Sequence, residues 1–175
     1  MDKKDNIILI GFMGCGKSSV GVRLSQHLDM PFLDTDSCIE EKAGKKIPDI
    51  FAQEGEQSFR NMETEILQEL LADTTGKIIS TGGGLPVKIE NRELLKKLGT
   101  VFYLQLAPET VYQRVGQDEN RPLLQCENPL EKIRILMAER RDAYEGTADS
   151  TVVVDGKSYE EIIKEIKTLY EEGMK

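Results

Sequence analysis

Short apolar runs alternate with longer amphipathic stretches along this chain of 175 residues. The run Ile7-Ile8-Leu9-Ile10 is apolar and β-branched, as in a buried strand, and Val20, Leu24 and Leu28 follow at helical spacing. The same patterns predict strands at 6–10, 31–34, 77–81, 100–106 and 151–154. They predict helices at 17–28, 36–43, 48–72, 88–97, 108–116, 128–145 and 159–172, and Gly55 is a point where the long 48–72 stretch can be interrupted. This alternation favours an α/β fold in three layers, α/β/α, with a five-stranded parallel sheet.

The residues between the first strand and the first helix form a phosphate-binding motif. They read Gly11-Phe12-Met13-Gly14-Cys15-Gly16-Lys17-Ser18, the G-x-x-x-x-G-K-S pattern of P-loop proteins. The glycines let consecutive backbone N–H groups turn toward an anion, and the helix start adds unpaired donors. In such a loop Lys17 reaches the β- and γ-phosphates of a nucleotide, and the Ser18 hydroxyl ligates Mg²⁺. The motif therefore predicts a nucleoside triphosphate site.

Polar residues also end the second and third predicted strands. Asp34-Thr35-Asp36 puts two carboxylates at the carboxyl end of a strand that we expect beside the P-loop strand. One carboxylate can orient water on Mg²⁺ and the other can accept a substrate hydroxyl; a solvated turn that caps the next helix is the alternative. Ser80-Thr81-Gly82-Gly83-Gly84 brings exposed backbone N–H donors to the same crevice.

Composition narrows the possible partners. The net charge of −8 disfavours nucleic acid, which needs a basic face, but not a nucleotide, whose charge is met locally. No run of about 18 apolar residues occurs, so we expect no membrane span. The amino terminus runs directly into the first strand, which leaves no room for a signal peptide and makes the cytoplasm the expected compartment.

The segment 115–127 does not fit the core pattern. It is polar, contains Gly and Pro, and lies between two predicted helices. Long irregular segments in compact domains are usually functional or disordered. A P-loop kinase needs a part that closes over the γ-phosphate and excludes water, and we expect this segment to be that lid.

Taken together, these strings resemble the shikimate kinases, of the nucleoside-monophosphate-kinase-like group. The residues that carry the resemblance are Gly11 to Ser18, Asp34 to Asp36, Ile50 to Glu63, Ser80 to Gly84, Arg121 to Leu124, and Glu139-Arg140 with Tyr144. The most specific string is F-x-x-x-G-E-x-x-F-R-x-x-E, from Phe51 to Glu63. The likeness extends over essentially the whole chain, with one departure at Asp142-Ala143, where the family usually has Pro-Leu.

The resemblance implies a P-loop kinase fold and transfer of the ATP γ-phosphate to the 3-hydroxyl of shikimate, with Mg²⁺, in aromatic amino acid biosynthesis. It implies one domain over residues 1–175, with the lid at about 115–127 and a substrate-binding helical region at about 35–63. By position in the motifs, the catalytic residues would be Lys17, Asp36 and Arg121. The nucleotide would be bound by Gly14, Cys15, Gly16, Lys17, Ser18, Ser19, Arg114, Arg121 and Asp155.

The remaining implied roles concern the acceptor and the metal. Shikimate would be bound by Asp36, Arg60, Gly82, Gly83, Gly84 and Arg140. Ser18 and Asp34 would hold Mg²⁺, and Glu63 would brace an arginine. We expect a monomer that binds shikimate and ATP.

Elementary chemistry agrees with the acceptor assignment. Shikimate is a small carboxylate with three hydroxyls, and arginine forks bind carboxylates through paired hydrogen bonds that lysine cannot form. Two alternatives stay open: a gluconate- or nucleotide-type kinase on the same scaffold, or a P-loop regulatory protein that binds ATP. A kinase should turn over only with its acceptor, which separates it from the regulatory protein.

Overall fold

The computed structural model describes residues 3–119 and 121–175. Its strands are β1 (Ile7–Ile10), β2 (Phe32–Asp34), β3 (Ile78–Ser80), β4 (Thr100–Gln105) and β5 (Ser150–Val153). Its α-helices are α1 (Lys17–Leu28), α2 (Thr35–Ala43), α3 (Ile47–Glu54), α4 (Glu56–Asp73), α5 (Ile89–Leu98), α6 (Pro108–Val115), α7 (Pro129–Thr147) and α8 (Tyr159–Gly173). Two 3₁₀ turns lie at Leu85–Val87 and Pro122–Leu124.

The strands form one parallel sheet in the order β2-β3-β1-β4-β5. Every neighbouring pair is parallel, which confirms the predicted five-stranded α/β fold. The helices α1 and α8 pack together, while α5 and α7 pack together and against β4. The sheet order corrects one expectation: β3 lies between β1 and β2, so Asp34 is beside Ser80 instead of the P-loop strand.

The hydrophobic core is centred on the middle of the sheet. All four residues of β1 are fully buried, as are Ile78 and Ile79 of β3 and residues 101, 102 and 104 of β4. Strands covered on both faces need apolar side chains at every position, which explains the unbroken Ile-Ile-Leu-Ile run. Within the part of the chain that the structure describes, no helix has the length and apolar character needed to cross a membrane.

Local chemistry explains where several helices begin and end. The predicted helix 48–72 is divided at Gly55, whose φ of 84° and ψ of 169° suit glycine and end α3. Asp34 begins α2, because its carboxylate accepts a hydrogen bond from the Ser37 N–H at 3.2 Å. Helix α7 continues through Asp142 and Ala143, the two positions that depart from the family pattern.

Candidate active site

The phosphate loop connects β1 to α1 at the carboxyl edge of the sheet. Gly11, Gly14 and Gly16 all have positive φ, at 153°, 77° and 96°, so glycine is needed at each position. The Lys17 ammonium donates to the Gly11 carbonyl at 2.8 Å and to the Phe12 carbonyl at 3.2 Å. The lysine therefore lies along the loop that would surround a phosphate chain.

Ser18 and Asp34 meet beside this loop. The Ser18 hydroxyl donates to Asp34 Oδ2 at 3.2 Å, while Asp34 Oδ1 caps α2. The aspartate therefore caps a helix, as the alternative interpretation expected, and also contacts a residue of the phosphate loop. A hydroxyl and a carboxylate are hard oxygen ligands of the kind that Mg²⁺ prefers, so the pair fits this ion.

A cavity of about 260 Å³ joins the predicted parts of the site. It is lined by Met13, Gly14, Gly16, Lys17, Ser18, Ser19, Asp34, Asp36, Ser80, Thr81, Gly82, Gly83 and Arg121. The phosphate loop, the ends of β2 and β3, and the candidate lid therefore open onto one space. This is the crevice at the carboxyl ends of parallel strands where α/β proteins bind their ligands.

Charged side chains converge on the glycines after β3. A Cβ placed on Gly82 would lie 2.8 Å from Asp36 Oδ1 and 3.1 Å from Glu63 Oε2. A Cβ on Gly84 would lie 2.6 Å from both terminal nitrogens of Arg60. Only glycine admits side chains this close to the backbone, so Gly82 and Gly84 allow charged side chains to lie against the loop.

Arg140 approaches the same loop from α7. A Cβ on Gly83 would lie 3.6 Å from its Nη1 atom. The residue is only 9% exposed, yet among the described residues no carboxylate lies within 4.0 Å of its guanidinium. A buried cation without a counterion is costly, and an anionic ligand would remove that cost.

Arg60 has protein partners already. Its guanidinium contacts Glu63 at 2.6 Å and Glu56 at 3.5 Å. Glu63 is 1% exposed and supports the arginine through this contact, as the resemblance implies. The arginine is therefore held in place with part of its fork left over for a ligand.

Two buried carboxylate oxygens of the described residues lack a hydrogen-bond donor: Asp36 Oδ1 and Glu63 Oε2. Burial raises the pKa of Asp36 to about 6, with a further contribution from Asp34, against the lowering effects of Lys17 and Arg60. Burial also raises the pKa of Glu63, while the charge and hydrogen bond of Arg60 oppose the rise. An unpaired buried oxygen costs stability, so Asp36 is suited to accept a ligand hydroxyl.

Arg114 and Asp155, the two residues expected to flank the adenine, have different partners. Arg114 lies beside the phosphate loop and donates to the Gly14 carbonyl at 3.0 Å. Asp155 accepts from the Ala107 N–H at 2.9 Å and from the Thr110 hydroxyl at 2.7 Å, which supports the start of α6. Cys15 is buried, with its Sγ 3.7 Å from the Lys17 ammonium.

In the candidate lid at 115–127, Val115 ends α6 and Pro122–Leu124 form a 3₁₀ turn; the other described residues are irregular, and Asn120 lies outside the described residues. Arg121 lines the cavity and pairs with Asp118 at 3.4 Å. The sequence indicates a polar segment, but Leu124 within it is buried and packs in the hydrophobic core. The guanidinium of Arg121 is thus held near the phosphate loop.

Sequence reasoning missed some contributions to the site. The Ser80 hydroxyl is buried without a partner among the described residues and lines the cavity where β3 ends. The Tyr144 hydroxyl donates to the Gly83 carbonyl at 2.6 Å. The position of Ser80 at a strand end was a usable signal. Tyr144 was part of the family pattern, but its contact with Gly83 crosses from α7 to a distant loop and was not predicted.

These features define a class of protein: a P-loop kinase in which Arg60 and Arg140 lie near the glycines that follow β3. Comparisons with known proteins make the class specific. The shikimate kinase family model matches residues 13–171. The chain belongs to the shikimate kinase family.

Individual relatives agree over most of their length. A shikimate kinase of Thioalkalivibrio sulfidiphilus is 43% identical over 170 residues, which cover 97% of this chain and 89% of that protein. A shikimate kinase of Neisseria gonorrhoeae is 49% identical over 146 residues, or 83% of this chain and 85% of that one. The structure of a shikimate kinase from Acinetobacter baumannii in complex with shikimate superposes with a TM-score of 0.91 at 40% identity, covering 98% of this chain and 96% of that chain.

Proposed function

We propose that this chain transfers the γ-phosphate of ATP to the 3-hydroxyl of shikimate, giving shikimate 3-phosphate, with Mg²⁺ as the metal. Membership of the shikimate kinase family supports the reaction, and a relative that binds shikimate supports the acceptor. The observation that carries the proposal is Arg140, a buried guanidinium without a carboxylate partner among the described residues, which approaches Gly83 while the unpaired Asp36 oxygen approaches the adjacent Gly82. A ligand with a carboxylate and neighbouring hydroxyls satisfies both groups. This favours shikimate over a nucleoside monophosphate.

At the acceptor end, Arg60 and Arg140 bind the carboxylate from two helices, α4 and α7. Each guanidinium presents donors in a planar fork that matches a carboxylate. Asp36 accepts from the ring hydroxyls. The Gly83 and Gly84 backbone contributes N–H donors, whereas Gly82 lines the site but its N–H already donates to the Thr35 hydroxyl at 3.2 Å. The helices in residues 35–63 therefore form one wall of the acceptor site.

At the nucleotide end, the backbone from Gly14 to Ser19 surrounds the phosphates and Lys17 turns from the loop carbonyls toward the β- and γ-phosphates. Arg114 and the loop containing Asp155 flank the adenine. Ser18 and Asp34 would hold Mg²⁺, which would neutralise charge on the phosphate oxygens.

In the transfer step the 3-hydroxyl oxygen forms a bond to the γ-phosphorus while the bond from that phosphorus to the bridging oxygen of ADP breaks. The hydroxyl proton passes to Asp36. Lys17 and Arg121 stabilise the charge that develops on the phosphoryl oxygens. Such stabilisation, with positioning, is the main requirement in phosphoryl transfer. Closure of the lid at 115–127 excludes water, so that ATP reacts with the acceptor instead.

We also propose that the 175 residues act as one catalytic domain, as a monomer in the cytoplasm. The net charge of −8 argues against a nucleic acid partner. Sedimentation at enzyme-assay concentrations measures the oligomeric state directly.

The test is ADP release measured with shikimate, gluconate or nucleoside monophosphates, with and without Mg²⁺, and with the product identified by phosphorus NMR. We expect turnover with shikimate and Mg²⁺ only. Arg140→Lys should raise the KM for shikimate about 10- to 100-fold, because one charged hydrogen-bond partner is lost. Arg141→Lys is the matched control, since Arg141 is exposed and pairs with Glu145 at 2.9 Å.

Two outcomes would overturn the proposal. ADP release that is equally fast without any acceptor would make the chain an ATPase or a regulatory protein. Faster turnover with gluconate or a nucleotide than with shikimate would assign a different acceptor to the same scaffold.

A further inference from the structure

Tyr144 lies on α7, one helical turn after Arg140, so both side chains project from the same face of the helix. Tyr144 is 1% exposed and Arg140 is 9% exposed. A residue this deeply buried next to an anion-binding arginine either fills space or fixes the arginine. The contacts of its hydroxyl distinguish these two roles.

The Tyr144 hydroxyl makes a short hydrogen bond to the loop after β3. It donates to the Gly83 carbonyl at 2.6 Å, across 61 positions of sequence. A buried carbonyl left without a donor is costly, so this bond holds the glycine loop to α7.

Gly83 also lies close to the phosphate loop and to Arg140. A Cβ placed on it would lie 3.5 Å from the Gly11 carbonyl oxygen and the Met13 nitrogen, both in the phosphate loop, and 3.6 Å from Arg140 Nη1. The phosphate loop and the arginine therefore both approach this glycine. Its carbonyl group is fixed by the tyrosine.

Arg140 also acts on the tyrosine electrostatically. Burial raises the pKa of the Tyr144 hydroxyl, while the nearby positive charge of Arg140 acts in the opposite direction. The hydroxyl consequently stays protonated and can donate to the Gly83 carbonyl.

The ring of Tyr144 is itself held firmly. It packs against the ring of Tyr103, on β4, with centroids 5.0 Å apart and an interplanar angle of 32°. Tyr103 is 4% exposed, so both rings belong to the core. The hydroxyl of Tyr144 is thus carried on a rigid support.

We propose that Tyr144 is a positioning residue of the acceptor site, whose hydroxyl fixes the Gly83 carbonyl, and with it the glycine loop against which Arg140 lies, without touching the substrate. The proposal rests on the proposed function, because it assigns Arg140 to the substrate carboxylate. It predicts that carboxylate recognition depends on a hydroxyl buried behind the arginine. ATP binding should not depend on it.

The experiment compares Tyr144→Phe with Tyr103→Phe, two variants that each lose one hydroxyl from the same pair of rings. Steady-state kinetics at 25 °C give kcat and the KM values for shikimate and ATP, and thermal unfolding reports stability. We expect Tyr144→Phe to raise the KM for shikimate about tenfold, with less than about a twofold change in the KM for ATP. Tyr103→Phe should leave both KM values unchanged.

A double-mutant cycle identifies the route of the effect. If Tyr144 acts through Arg140, Tyr144→Phe should add less than about twofold to the KM for shikimate in the Arg140→Lys background. The neutral carboxamide of shikimate provides the same test by chemistry, because its binding should be insensitive to Tyr144→Phe.

The outcomes separate this proposal from the proposed function. A lower melting temperature for Tyr144→Phe with an unchanged KM for shikimate would make the tyrosine a structural residue only, and so would equal rises in the KM for shikimate and ATP. Full additivity with Arg140→Lys would also overturn the positioning role. If Arg140→Lys itself leaves shikimate binding unchanged, the acceptor assignment fails first.

Discussion

Replacing Gly84 by alanine would place a methyl group where the Arg60 guanidinium lies. The added Cβ would be 2.6 Å from both terminal nitrogens and 2.8 Å from Cζ, distances that no carbon contact tolerates. Gly84 has φ −91° and ψ −5°, which alanine adopts without strain. The obstacle is therefore the side chain of Arg60 alone, which must move.

The expected consequence is a selective loss of acceptor affinity. Displacing Arg60 strains its 2.6 Å contact with the buried Glu63, so we expect some loss of stability as well. The displacement also removes a charged hydrogen bond to the substrate carboxylate. Such a bond contributes roughly 1.5–3 kcal/mol, which corresponds to about a 10- to 100-fold weaker Kd for shikimate. The backbone N–H of residue 84 is retained, so the loss reports on the arginine.

Calorimetric titration with shikimate, alongside the KM values for shikimate and ATP, measures this effect. Gly146→Ala is the matched control, because a Cβ there would meet nothing within 4 Å and the residue lies in α7. Alanine in a helix interior is more favourable than glycine by roughly 0.5–1 kcal/mol, so this variant should be slightly more stable and equally active. A Gly84→Ala enzyme with unchanged shikimate affinity would refute the placement of Arg60 at the carboxylate.

Further predictions concern the roles of Lys17, Asp36 and Arg121 in phosphoryl transfer. Lys17→Met should lower kcat by orders of magnitude with an unchanged circular dichroism spectrum, and near-normal turnover at saturating ATP would contradict the P-loop assignment. Because the pKa of Asp36 is raised to about 6, kcat/KM for shikimate should fall about tenfold per pH unit below that value, whereas Asp36→Asn should be slower and show no such limb. The same raised pKa means that the wild type should lose stability relative to Asp36→Asn as pH rises from about 4 to 6, which urea unfolding at each pH checks. Arg121→Ala should lower kcat about 10²-fold or more with little change in the Kd for free shikimate. Hydrogen exchange in 115–127 should slow only when ADP and shikimate are both bound. Equal exchange in all states would leave this segment an ordinary surface loop.

The nucleotide end of the site was predictable because its parts are neighbours in sequence. The apolar run of β1, the glycine pattern from Gly11 to Gly16 and the amphipathic start of α1 form one continuous stretch. Each of these signals depends on local backbone conformation or on periodicity. The family resemblance then assigned Arg60, Arg140 and the glycines after β3 to the acceptor by motif position.

Local sequence did not decide between one long helix and two shorter helices in residues 48–72. Gly55 could have been tolerated within one long helix, but its φ of 84° divides the segment into α3 and α4. The place of β3 between β1 and β2 was not predicted either, since strand order depends on which helices cross the sheet and not on any strand's own pattern.

By itself, the sequence determined the alternation of strands and helices, the phosphate loop, and the residue types available to an anion site. Only the tertiary structure decided that Arg140 is buried without a described carboxylate partner, that the Asp36 oxygen is unpaired, and that Tyr144 bonds to Gly83. Periodicity shows which face of an element is buried, because it reflects transfer of apolar side chains from water. It carries no information on which polar groups meet across elements, since those contacts depend on how α4, α7 and the loop after β3 pack together.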